Sequence, residues 1–240
     1  MKYAPQRVKT LFIEDTQASS EKLRPIIAEA NANQIEVIRV TKFLLDERTE
    51  SAPHQGILAE CQPKEMMSLT DFRQKLKKSE ETKPAFILAL DQVSDPRNLG
   101  AIIRVAMAAN VDGILLPKHG SAAISGVVDR ASAGTLTLAP LVEVTNLADA
   151  INTLKDDGIW WATTAVEAPI GSKIRVQSYL SVDFKGPIGL VLGSEGDGVR
   201  QRVNEACDFW ITIPMNPQVE SLNVSVATGV LLFEVLRQRQ

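Results

Sequence analysis

Residues 187–229 read PIGLVLGSEGDGVRQRVNEACDFWITIPMNPQVESLNVSVATG, and their pattern decides the fold. Ile188 to Leu192 is a short apolar run bounded by Pro187 and Gly193, the mark of a buried strand. It breaks into Gly193-Ser194-Glu195-Gly196-Asp197-Gly198, with three glycines in six residues. A helical pattern follows to about Cys207, and a second apolar strand, Phe209 to Ile213, is closed by Pro214. Two successive strands thus end in loops of small or special residues. In an open parallel sheet, ligands bind at such loops, outside the carboxyl ends of strands. Glycine lets a backbone approach a ligand closely or take positive φ. Glu195, a carboxylate among these glycines, has little packing work to do. A glycine pattern of this length is weak evidence by itself, and a solvated turn is the bland alternative.

Downstream, Ser221-Leu222-Asn223-Val224-Ser225 sets three small polar side chains at alternate positions before an apolar segment through Arg237. Ser221 or Asn223 is placed to cap a helix. Upstream lies Asn98-Leu99-Gly100-Ala101-Ile102-Ile103-Arg104. Asn-x-Gly-x-x-x-Arg, then GSEGDG, then Ile213-Pro214-Met215 with SLNVSVATG, resemble in order the signature motifs of the SpoU (TrmH) family of RNA ribose 2′-O-methyltransferases. The resemblance spans Asp91 to Ala227, and three ordered motifs are far more specific than any one.

The resemblance implies S-adenosylmethionine as cofactor and structured RNA as substrate, most closely a guanosine of 23S rRNA. It also implies a homodimer and a C-terminal deep trefoil knot of SPOUT type. A tRNA or antibiotic-resistance rRNA methyltransferase, or a non-catalytic RNA-binding assembly factor, carries the same motifs or fold and stays open. An ordinary dinucleotide- or nucleotide-binding enzyme is disfavoured, because GxGxxG after the first strand and GxxxxGK[ST] are both lacking.

At 240 residues the chain has room for one large domain or two modest ones. No apolar run reaches the ~20 residues that span a bilayer, and the start lacks a signal-peptide h-region, so a cytoplasmic protein without membrane contact is expected. Cys61 and Cys207, with only His54 and His119 besides, suggest free thiols and no metal site. Formal charge is −3. Residues 1–80 carry 13 Lys and Arg against 12 Asp and Glu, and the remainder 13 against 17. RNA binding would then rest on shape and a few placed cations rather than bulk attraction.

Residues 81–240 alternate strand and helix, which predicts a parallel sheet with helices on both faces. Strands are expected at Ala85 to Leu90, Gly113 to Leu116 and Ile159 to Ala165, with helices from Asn98 to Ala109 and Leu147 to Lys155. Residues 1–80 read as a small α/β unit followed by a charged linker. Its strands fall at Val8 to Ile13, Ile35 to Val40 and Gly56 to Glu60. A helix capped by Ser19 or Ser20 runs through Ala30, and Thr41 caps a short second one. This unit resembles the L30e-like domain that precedes the catalytic domain in many family members, although it begins almost at the first strand, without their N-terminal helix. His54-Gln55-Gly56 matches a recurrent motif there. In the linker, Leu69, Phe72 and Leu76 form one helical stripe.

The family pattern, carried over residue by residue, puts Gly193, Ile213, Met215 and Leu222 in the cofactor cradle. Asn98, Arg104, Glu195 and Asn223 are its catalytic set, with Arg130 and His54 as further RNA contacts. Asn98 also stands where a helix cap would, and His54 where a histidine could simply order a turn. The family's arginine is often assigned as the base for the 2′-hydroxyl proton. Guanidinium stays protonated, with a pKa above ~12, so a phosphate clamp that stabilises developing negative charge is the reading preferred for Arg104.

Overall fold

Alternate residues of the first strand face opposite sides, and this organises the amino-terminal unit, Met1–Lys64. A computed structural model describes residues 4–49, 52–79, 83–165, 176–194 and 196–240. In it β1 (Val8–Glu14) pairs in parallel with β2 (Glu36–Val40) and antiparallel with β3 (Ile57–Cys61). Leu11 and Ile13 pack with Leu23, Ala30 and Ile35 on one face, and Phe12 packs with Val40 and Leu45 on the other. The first helix, α1 (Arg24–Ala32), starts later than a cap at Ser19 or Ser20 would place it, and Leu23 at its N-cap makes no side-chain cap bond. Pro25 explains the start: with no N–H and φ already helical, it suits a first turn. Helix α2 (Lys42–Arg48) is capped as expected, Thr41 Oγ1 accepting from the Leu44 N–H at 3.4 Å.

The second unit, Glu65–Gln240, is a seven-stranded sheet in the order β6-β5-β4-β9-β7-β10-β8. The strands are β4 (Phe86–Leu90), β5 (Gly113–Pro117), β6 (Leu141–Val144), β7 (Trp160–Thr164), β8 (Val176–Ser178), β9 (Ile188–Leu192) and β10 (Phe209–Thr212), all paired in parallel. Every residue of β4, β5 and β9 is buried, as expected of strands covered on both faces.

One face is covered by α4 (Pro96–Ala108), α5 (Gly126–Ala131) and α8 (Val224–Gln238), through Leu99, Ile102, Ile103, Val128, Leu231 and Val235. The other is covered by α3 (Leu69–Ser79), α6 (Leu147–Lys155) and α7 (Gln201–Ala206), through Phe72, Leu76, Leu147, Ile151 and Val203. Phe72 and Leu76, expected on one linker stripe, are 0% and 4% exposed in this core. Gly189 is needed opposite Trp161, since a Cβ there would strike the fully buried indole ring.

Helix α4 corrects a cap assignment. Asp95, not Asn98, is its N-cap, with Oδ1 accepting from the Arg97 N–H at 2.7 Å, and Pro96 opens the helix. Asn98 is thereby freed for other use. Asn110 takes φ 57°, the left-handed conformation its small polar side chain tolerates.

Topology locates the crevice. From β4 the chain moves outward to β5 and β6, while from β9, its neighbour, it moves the other way to β10. Adjacent strands whose connections diverge open a cleft at their carboxyl ends. Those ends are Leu90-Asp91 and Leu192-Gly193.

Candidate active site

The carboxyl ends of β7 and β10, the residues after β9 and the start of α8 line a cleft of about 300 Å³ on the β9 side of this switch point. Its apolar wall includes Leu192, Ile213, Met215, Leu222 and Ala227, and its polar lining includes Thr164, Ser194, Glu220 and Ser221. All four residues expected in a cofactor cradle, Gly193, Ile213, Met215 and Leu222, line it.

Gly193 is demanded by its own chain. A Cβ there would overlap the backbone of Gly198 and Val199. The loop closes on itself through Ser194 N–H to Gly198 O at 3.1 Å and Gly198 N–H to Ser194 O at 3.2 Å. Gly196 and Gly198 take φ of 104° and 67°, a region that side chains resist. The result is a tight turn that exposes backbone to the cleft.

Beside the cleft, two segments 125 residues apart meet: Asn223 Nδ2 donates to Asn98 Oδ1 at 3.0 Å. Asn223 is also the cap of α8, its Oδ1 accepting from the Ser225 N–H at 3.0 Å and the Ser225 hydroxyl at 2.5 Å. One asparagine therefore starts the last helix and reaches the helix of the first motif. Arg104 projects from α4, exposed, and among the described residues it has no ion-pair partner. It is not among the residues lining the cleft. Glu195 lies outside the described residues.

Comparison with known proteins covers both units. The model of the SpoU rRNA Methylase family matches residues 85–233. The chain belongs to this family. A second model, RNA 2′-O ribose methyltransferase substrate binding, matches residues 2–67. Among SpoU relatives, the 23S rRNA (guanosine-2′-O-)-methyltransferase RlmB of Shewanella oneidensis is 39% identical over 240 residues, covering 100% of this chain and 93% of that protein. An AdoMet-bound rRNA methyltransferase from Sinorhizobium meliloti superposes with a TM-score of 0.75 at 26% identity, covering 98% of this chain and 81% of that one. The SpoU methyltransferase AviRb from Streptomyces viridochromogenes, in complex with AdoMet, shares the fold with a TM-score of 0.77 at 23% identity, over 99% of this chain and 87% of its own.

Two other residues that the SpoU pattern singled out lie elsewhere. Arg130 is exposed on α5, just before the turn in which Ala133 and Gly134 take φ of 52° and 83°. His54, in the amino-terminal unit, is engaged at both ring nitrogens: Nε2 lies 3.0 Å from Asp46 Oδ1, and Nδ1 accepts from the Gly56 N–H at 3.0 Å. With its side chain 8% exposed, the ring orders the Gln55-Gly56 turn. Cys61 is exposed and Cys207 buried, its thiol pushed up to about 12 by that burial. No group of metal-binding side chains is present among the described residues.

Sequence reasoning missed five contributors. Thr164 and Glu220 carry no motif of their own, and Ser194 was read only as part of the glycine loop. Its hydroxyl is buried in the cleft wall and has no hydrogen-bond partner among the described residues. Buried Asp91 pairs with half-exposed Arg200 behind the loop, 109 residues apart, and no spacing rule links them. The remaining signal was Asp91 itself, a carboxylate directly after a fully apolar strand.

Proposed function

We propose that this protein transfers a methyl group from S-adenosylmethionine to the ribose 2′-hydroxyl of a guanosine in 23S rRNA. The reading is supported by the lining of one cleft with residues of the second and third motifs, among them Gly193, Ile213, Met215 and Leu222, and by the 3.0 Å bond that joins Asn98 of the first motif to Asn223 beside it. The cleft suits the cofactor. Its volume is at the lower end of the range for small-molecule sites, and its lining combines an apolar wall with a buried, unpartnered hydroxyl. Gly193, Ile213, Met215 and Leu222 hold it, largely through backbone groups and apolar contact.

The cofactor supplies a methyl already activated on a sulfonium. The protein supplies orientation, which in the best intramolecular models is worth about 7–11 kcal/mol. Asn98 and Asn223 form a polar edge for the ribose, and Glu195 belongs to the same set. Arg104 grips the target phosphate through its guanidinium, which has five N–H donors and no acceptor, and offsets charge as the 2′-O–H proton leaves. The C–S bond breaks as the O–CH₃ bond forms, the 2′-hydroxyl proton passes to solvent water, and S-adenosylhomocysteine departs.

The protein acts as a cytoplasmic homodimer. Support comes from α8, where Val226 and Phe233 stay 52% and 48% exposed, beside α4, against which Gly229 packs at Val105. A partner on this face would bring an interface close to Arg104. The trefoil knot implied by the motifs forms in the carboxyl-terminal segment, and the amino-terminal unit, Met1–Lys64, grips the RNA.

Tritiated-methyl transfer to total RNA from a strain lacking the protein, followed by mapping of the label, tests the reading. The expected product is a 2′-O-methylguanosine in 23S rRNA. Label in tRNA overturns the target, and absence of label with every RNA overturns the activity. Arg104→Ala is expected to lower kcat about 100-fold with cofactor affinity unchanged.

A further inference from the structure

Asp91 is 0% exposed and stands immediately after β4, where its N–H donates to Leu192 O at 2.8 Å. Its carboxylate accepts from Arg200 at three donors: the backbone N–H at 2.8 Å, Nε at 2.9 Å and Nη2 at 2.6 Å. Leu192 and Arg200 are the residues that flank the loop 193–199. One buried residue on the neighbouring strand thus holds both ends of the glycine loop that walls the cleft. A carboxylate in such a place is costly unless every lone pair is engaged, and Arg200 engages it with a fork whose geometry lysine lacks. Neither residue lines the cleft.

We infer that Asp91 and Arg200 are a positioning pair that sets the 193–199 loop for S-adenosylmethionine, controlling cofactor affinity without touching the cofactor. This rests on the cofactor reading of the cleft given above. Ser194 and Gly198 are joined by reciprocal backbone bonds, so a shift at either anchored end is felt at both. Misplacing a binding wall by an ångström suffices to weaken a preorganised site strongly. Arg200 keeps 47% of its side chain exposed, so it can be replaced without opening the core.

A comparable pair serves as a control. Arg73 meets Asp157 through Nε at 2.5 Å and Nη2 at 2.8 Å, just before β7, at the opposite end of the sheet. It has no link to the loop.

Calorimetric titration of the full-length protein with S-adenosylmethionine, alongside thermal melts and steady-state kinetics, tests the pair. Arg200→Gln and Asp91→Asn are expected to raise the cofactor Kd and KM by about tenfold or more, with kcat at saturating cofactor within about twofold and KM for RNA unchanged. Arg200→Lys recovers part of the loss. Arg73→Gln is expected to lower the melting temperature while leaving Kd within about twofold. If Arg200→Gln binds cofactor as well as the wild type, or Arg73→Gln weakens binding as much, the inference is overturned. Should Asp91→Asn fail to fold, Arg200→Gln decides alone. Failure of the wild type to bind S-adenosylmethionine removes the cofactor reading itself, and the inference falls with it.

Discussion

The two ends of the seven-stranded sheet use polar residues in opposite ways. At the amino ends of the strands the charged ones are consumed by the fold. Asp112 accepts from the Phe86 N–H at 2.9 Å and pairs with Lys83 at 2.6 Å. Asp208 accepts from the Trp161 N–H at 2.8 Å and pairs with Lys155 at 2.7 Å. Arg239, on the last turn of the chain, donates to the carbonyls of Pro84, Ala85, Phe184 and Gly186. At the carboxyl ends, one pair, Asp91 with Arg200, sits behind the loop. In front of it stand a buried hydroxyl without a partner among the described residues and backbone turned outward by glycine. A parallel sheet gives both ends the same strands, so the difference lies in the loops. Charge satisfied internally holds strands together, and polar groups left open await a ligand.

The largest expected effect breaks the carboxyl end alone. In Gly193→Ala the new Cβ meets backbone atoms of Gly198 and Val199 rather than a side chain that could swing away, so the loop must move. Cofactor affinity measured by calorimetry is expected to fall about 100-fold, and a variant that bound normally would show that the wall is not built from this turn. Asp208→Ala breaks the amino end instead. It leaves Lys155 and the Trp161 N–H without their carboxylate and is expected to cost about 2 kcal/mol in a denaturant melt. The cofactor Kd should stay unchanged in protein that remains folded. A matching loss of affinity would mean that the two ends are coupled through the sheet.

The sheet and the end at which its crevice opens were legible because parallel strands buried on both faces are written as uninterrupted apolar runs. Phe86 to Leu90 and Ile188 to Leu192 are of this kind, and proline and glycine mark their limits. The short strands Leu141–Val144 and Val176–Ser178 escaped, since four or three residues at the sheet edges hold too little pattern. Helix starts failed where a nearer signal competed: Pro25 and Asp95-Pro96 displaced the serine and asparagine caps. Within the site, Asn98 and Asn223 could be named from their motifs, yet their bond to each other could not. The Asp91–Arg200 pair carries no local pattern whatever, because only the topology that lays β9 beside β4 creates it.

The smallest effect sharpens the contrast most. A hydroxyl buried without a hydrogen-bond partner lowers the stability of the empty protein, since it gave up water for nothing. Ser194 Oγ is in that state, and it lines the cleft. In Ser194→Ala the empty protein should therefore melt no lower than the wild type, and even slightly higher. The cofactor Kd should rise about fivefold, the worth of one ordinary hydrogen bond. Stability and affinity then move in opposite directions, which a residue used for folding cannot do. At the amino end the same truncation of a polar side chain must lower stability, as with Asp208. If Ser194→Ala instead melts lower and binds cofactor unchanged, the hydroxyl belongs to the fold, and the carboxyl end is less open than its geometry suggests.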